Sequence, residues 1–198
     1  MALDEMTLEE IVKDRQQIHT RDICLSTYPH TGSQVLVHGR LKDKRYIPVF
    51  DIIGKLKKPG TIHNMSVTLL INPNPLTIIK AEAQMFTVPM PECRSTLDRV
   101  EMLNGVEIKS GFSSQIQKIM GSNRGCTHLC GLVKAMGQEI VHGWLTQKRS
   151  EKSPIPGSLD DIKEKQFLID SCRLWKKDGP KMQELIQAME ENKQKAMF

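Results

Sequence analysis

The sequence predicts an α+β domain in which an antiparallel sheet, built from residues 22 to 86, is covered on one face by helices, with a C-terminal helical tail. Three observations carry this. Apolar and polar residues alternate with a period of two through the first half, most clearly over 65–71. After the Pro-Met-Pro run at 89–91 the apolar period lengthens to that of an amphipathic helix. Strand-like segments also precede the helical ones instead of interleaving with them, the order that gives a sheet with its helices on one side.

Residues 5–18 read as a short charged helix with Leu8, Ile11, Val12 and Ile18 on its apolar stripe. From Asp22 the pattern becomes strand-like: Ile23, Leu25 and Thr27 alternate with Cys24, Ser26 and Tyr28. After His-Thr-Gly-Ser at 30–33, Val35, Val37 and Leu41 form the returning strand of a hairpin. The charged run Lys-Asp-Lys-Arg at 42–45 is expected to be a turn, followed by a strand over 46–53 that Gly54 ends. The next hairpin pairs 65–71 with 77–86 across Asn-Pro-Asn-Pro at 72–75, whose prolines cannot sit in a central strand.

Cys93, Leu97, Val100 and Leu103 then share one face of a short helix, and Phe112, Ile116, Ile119 and Met120 one face of a second. A third, long helix opens at Cys126 with Leu129, Leu132, Val133, Met136, Ile140 and Trp144 as its core face. Gly131 and Gly137 argue against an unbroken course, each costing about 1 kcal/mol relative to alanine. Residues 148–157, with two prolines, read as a linker. Ser158 and Asp161 resemble a capping box that starts a helix through Trp175, and a last charged helix follows Asp-Gly-Pro at 178–180. The expected organisation is a domain over 1–150 with an N-terminal helix, and a linker and helical extension over 151–198.

With 198 residues, 39% hydrophobic and 26% charged, the chain has the composition of one soluble domain with a substantial core. No apolar run approaches the ~20 residues that cross a bilayer, and the acidic N-terminus lacks the basic and apolar regions of a secretory signal. A cytoplasmic protein with no membrane partner is expected. Five cysteines without framework spacing point to free thiols, metal ligation or burial. The charge of +5 is spread out. Its small clusters, Lys55, Lys57 and Lys58, and Lys148 with Arg149, carry no interleaved aromatics and read as solvated loops, so no nucleic-acid partner is expected. Phosphate-loop, GxGxxG, HExxH and GxSxG motifs are all missing, which argues against nucleotide-driven and serine-hydrolase chemistry.

The chemistry-bearing residues gather around 124–136. Cys126, His128 and Cys130 fall within five residues at a helix start, where unpaired backbone N–H groups and Arg124 favour a thiolate, the form that attacks electrophiles or binds metal. Cys93 lies at another strand-to-helix junction and His63 just before the strong strand. Zinc or an iron-sulfur centre draws thiolate and imidazole from several elements, which makes Cys93, Cys126, His63 and His128 the candidate ligands. Burial accounts equally for a lone cysteine, and makes a non-catalytic binding or adaptor domain the alternative. Cys172 is expected to pack, and nothing singles out Cys24. A stand-alone thiol enzyme is not expected: were Cys126 and His128 both within one helical turn, residues two apart would not face each other.

Ile-His-Asn-Met at 62–65, Ala-Glu-Ala-Gln-Met with Pro-x-Pro-x-Cys over 81–93, and above all Gly-Cys-Thr-His-Leu at 125–129 resemble a bacterial domain family of unknown function. More distantly, the order of strands, Cys93, helices and Cys126 resembles the NifU-type iron-sulfur scaffold and SufE-type sulfur-acceptor fold. That resemblance implies converging thiols at Cys93 and Cys126 with His63 as third ligand, His128 or Cys130 as local replacements, and protein partners in sulfur or metal transfer. Thr61 stands where the scaffold has its first cysteine, His63 near its aspartate, and Gly125 where its residue before the last cysteine is often histidine.

Overall fold

The computed structural model describes residues 6–162 and 164–195. Four strands form one antiparallel sheet in the order β1-β2-β5-β6: β1 (His19–Pro29), β2 (Val35–Arg45), β5 (Gly60–Pro73) and β6 (Leu76–Thr87). Between β2 and β5, a two-stranded ribbon of β3 (Val49–Phe50) and β4 (Leu56–Lys57) stands apart from the sheet. The α+β layering expected from the sequence is what forms. One face of the sheet buries Val35, Val37, Leu41, Met65, Val67, Leu69, Ile71 and Ile78 against Val100 of α2 (Asp98–Glu101), Phe112 and Ile116 of α3 (Phe112–Met120), and Leu129, Leu132, Val133, Met136 and Ile140 of α4 (Thr127–Lys148). Among the described residues no helix is long and apolar enough to cross a membrane.

α4 runs unbroken for 22 residues in spite of its glycines. Close packing outweighs their low propensity, because a Cβ at Gly137 would lie 2.8 Å from the Phe112 ring and one at Gly143 would overlap Thr27 of β1. Gly39 of β2 admits Met136 in the same way, a Cβ there falling 2.9 Å from its Sδ. The helix therefore lies directly on β1 and β2.

Three local expectations are corrected. Lys-Asp-Lys-Arg at 42–45 is the end of β2, not a turn, held by pairing on both sides with β1 and β5. The strand expected over 46–53 shrinks to β3, which among the described residues pairs only with the equally short β4. Ser158 and Asp161 do form a capping box, but over a single 3-10 turn, Leu159–Asp161; the helix meant to reach Trp175 is reduced to α5 (Lys165–Leu168). Ile169 stops it by turning extended (φ −67°, ψ 130°), and Asp170 follows with a left-handed backbone, φ 59°, its N–H closing a turn onto the Trp175 carbonyl. The tail is pinned instead by Glu164, a buried carboxylate bonded by Lys148 and Arg149 at the end of α4. A charged helix, α6 (Pro180–Lys195), follows as expected, and the N-terminal helix is confined to α1 (Leu8–Lys13).

Candidate functional site

Register places three polar side chains in one row across the sheet. Arg21 of β1 is paired with Asp43 of β2, and Asp43 with His63 of β5. Asp43 continues the inward alternation of Val35, Val37 and Leu41, and His63 that of Met65 and Val67, so the row lies on the helix-covered face. A register shift in the β2–β5 ladder follows immediately, between Asp43 and Lys44, of the kind that re-aims side chains at the end of a paired region.

Asp43 is almost wholly buried, and both of its oxygens accept hydrogen bonds. Arg21 donates from Nε to Oδ1 and from Nη2 to Oδ2, both at 2.7 Å, the planar fork of a guanidinium matched to a carboxylate. His63 Nδ1 contacts Oδ2 at 2.9 Å. The Arg21 bonds hold the Asp43 carboxyl below its ordinary range and outweigh the opposing cost of burial; His63 adds to them. An ionised carboxylate only accepts, so His63 donates through Nδ1 and its Nε2 faces away from that bond.

α4 supplies the fourth side chain. Extended Gly125 leads into it, where a Cβ would lie 2.9 Å from the Met120 carbonyl oxygen, and Cys126 is the N-cap. One residue into the helix, His128 drops onto the row. Its ring lies on that of His63 with centroids 3.7 Å apart and an interplanar angle of 31°, and its Nε2 is 3.8 Å from Asp43 Oδ2. Burial pushes the His128 pKa down, His63 and Arg21 push it further, and Asp43 opposes them only in part. His128 is therefore neutral at neutral pH, the form in which imidazole ligates metal or accepts a proton. One ligating atom each from Asp43, His63 and His128 lies within 4.8 Å of the others, the only such group of three among the described residues.

Of the four residues singled out in the sequence, His63 and His128 meet directly. Cys126 adjoins them, its Sγ 3.9 Å from His128 Nδ1. Here a correction is due: Cys126 and His128 do approach each other, because Cys126 as N-cap has extended dihedrals (φ −89°, ψ 123°) and the helical spacing rule does not govern it. Cys93 lies half-buried against the core in the 3-10 segment Pro91–Leu97. That segment leaves the sheet at the same end as the site, since Thr87 of β6 pairs with Asn64 beside His63. Cys130 is buried with its Sγ 3.7 Å from Gln117 Oε1, while Cys172, expected to pack, is exposed. Asp43 and Arg21 escaped the sequence reading. Their signal was there: Asp43 is in phase with Val35, Val37 and Leu41, and Arg21 with Ile23 and Leu25.

The family described as "Protein of unknown function (DUF2889)" matches residues 19–142, and the chain belongs to it. The match opens on the first residue of β1 and spans every residue of the site. No curated protein and no solved structure matches the chain. The family membership is thus shown, while the more distant NifU and SufE resemblance gains no support from these comparisons.

Proposed function

We propose that the protein is a metal-handling protein that binds a divalent first-row transition metal through Asp43, His63 and His128. The observation that carries this is the convergence of two imidazoles and one carboxylate within 4.8 Å on a buried sheet face. Two nitrogens and an oxygen suit zinc, iron(II) or nickel better than calcium or magnesium, which favour oxygen alone. Neutral His128 needs no deprotonation to ligate, and Arg21 fixes the carboxylate in the manner of an outer-shell partner. When bound, such an ion supplies Lewis acidity or a transferable metal; the chain's own residues orient it and limit its access to water.

An iron-sulfur cluster would require several thiolates, and one thiol, Cys126, adjoins the group, so a mononuclear ion fits the donor set better. The 3.9 Å approach of Cys126 to His128 does favour a second reading, in which His128 takes the thiol proton and the Cys126 thiolate attacks the outer sulfur of a cysteine persulfide on a partner protein, the partner's thiolate leaving and taking up a proton. A reducing, cytoplasmic setting would keep these thiols free.

Zinc titration of the purified, chelator-treated protein against a chromophoric chelator tests the metal reading. One equivalent should bind, and His63→Ala or His128→Ala should weaken binding at least tenfold. His38→Ala, altering a histidine that bonds Thr68 away from the site, should not. Unchanged affinity in both site variants would overturn the proposal. Ellman titration separates the sulfur reading: fast reaction lost in Cys126→Ser and slowed in His128→Ala supports it.

A further inference from the structure

The β3–β4 ribbon carries an apolar tip that covers nothing. Ile52 is 103% exposed and Ile53 83%, with Phe50 and Leu56 exposed on the flanking strands. This is not a slack loop. Asp51 Oδ1 accepts from the backbone N–H groups of Ile53 and Lys55 at 3.1 and 2.8 Å. The Asp51 and Gly54 N–H groups close the turn onto the Lys55 and Asp51 carbonyls, with Gly54 at φ +78°. Hydrogen bonds internal to the ribbon therefore hold two isoleucines outward, where they gain nothing by folding. A projecting apolar tip of this kind marks an interaction site.

Charge identifies the occupant. From Arg45 to Lys58 the basic residues are Arg45, Lys55, Lys57 and Lys58, and the only acid is Asp51. Asp51 is already committed to the turn and to Lys57 Nζ at 3.3 Å. Arg45 Nη2 donates to the Lys58 carbonyl at 2.9 Å and fastens the ribbon's base to β2. The result is a convex apolar tip above a basic collar. A two-stranded ribbon with exposed apolar side chains on both strands and at the tip suits a phase that closes around it, whereas a protein groove would have to match each side. Lysine stems bury alongside apolar surface while their ammonium groups stay at the level of charged headgroups. α1 also exposes Leu8 and Val12, but with Glu9 and Glu10 beside them, so the ribbon is the cationic element at this end of the sheet.

We propose that the β3–β4 ribbon docks the protein on an anionic lipid bilayer surface, Ile52 and Ile53 entering the interface and Lys55, Lys57 and Lys58 meeting the headgroups. Surface docking needs neither an apolar span nor a signal segment, the two features whose lack argued against a membrane partner. Asp43 lies two residues before Arg45 and His63 three after Gly60, so docking would hold the site close to the bilayer. The inference stands independently of whether that site binds metal.

Co-sedimentation of the full chain with vesicles tests it, comparing phosphatidylglycerol mixed into phosphatidylcholine with phosphatidylcholine alone. The protein should bind the anionic vesicles. Ile52→Ser with Ile53→Ser, which leaves the charge unchanged, should weaken binding at least tenfold, and Lys55→Gln with Lys58→Gln should do the same. Phe50→Trp should shift its emission to the blue on anionic vesicles, after subtraction of the native tryptophans. Circular dichroism matching the parent confirms that these exposed substitutions leave the fold intact. No binding at low salt overturns the proposal and turns attention to a protein partner. Binding undiminished by the isoleucine substitutions overturns it too, as simple adsorption of a basic protein.

Discussion

Replacing Asp43 with alanine tests whether the sheet row is a structural and functional unit. The side chain is 2% exposed and accepts three N–H groups, so its removal strands their donors. The two donors are not equal. Arg21 is 46% exposed and can turn to water, so its share is discounted to that of a surface pair, about 1 kcal/mol or less. His63 is 13% exposed and loses a hydrogen bond to a buried charge, a loss of about 1.5–3 kcal/mol. The two together give about 1.5–4 kcal/mol, or a fall in Tm of roughly 3–16 °C for a chain of this size. Arg21→Ala should cost at least as much as Asp43→Ala, since it leaves a buried carboxylate with His63 as its one remaining partner, whereas Asp43→Ala leaves an Arg21 that can turn to water. Urea unfolding followed by circular dichroism at neutral pH measures both. An Asp43→Ala variant within about 0.5 kcal/mol of the parent, or an Arg21→Ala variant clearly the more stable of the two, would refute the reasoning.

Two further outcomes follow from the same geometry. The His128 pKa is lowered from 6.5 by folding, so just below that pH the unfolded chain binds more protons than the folded one and stability rises with pH. The urea midpoint should therefore fall as pH drops from about 7 towards 5, and His128→Gln should flatten that slope; a slope equal in the variant would locate the proton elsewhere. Gly143→Ala puts a methyl group into Thr27 and must lift α4 from β1, which should lower stability by about 1–3 kcal/mol in thermal melts, with partial rescue by Thr27→Ala.

The layers of the fold were legible because they depend on local periodicity: the alternation over 65–71 and the helical stripe from Leu129 to Ile140 each report one buried face. Features that depend on distant contacts were not. Gly137 and Gly143 lower helix propensity wherever they occur, and only the positions of Phe112 and Thr27 explain their use here. Charge density at 42–45 suggested a turn, yet pairing on both sides makes it a strand, and Arg21 makes burial of its aspartate tolerable. At the helix start, the expectation for 125–129 rested mainly on its thiols. The group that forms is built from imidazoles and a carboxylate, with Cys126 at its border.

The same alternation that builds the core also aims the site. Side chains on a strand change face with every residue, so a one-residue slip of β2 would turn Val35, Val37 and Leu41 to solvent and carry Asp43 with them. Burial of those three apolar residues thus fixes the position of a carboxylate that desolvation alone would expel. Pairing of Asp43 with both Arg21 and His63 then depends on no separate device, because the register that buries Leu41 opposite Ile23 and Met65 sets Asp43 opposite the other two. His128 is fixed by a different constraint, the close approach of α4 at Gly39 and Gly143 together with extended Gly125. Sheet register and helix placement therefore converge at one point. A substitution that loosens α4 without touching β2, such as Gly143→Ala, should displace His128 while leaving the Arg21–Asp43–His63 row in place.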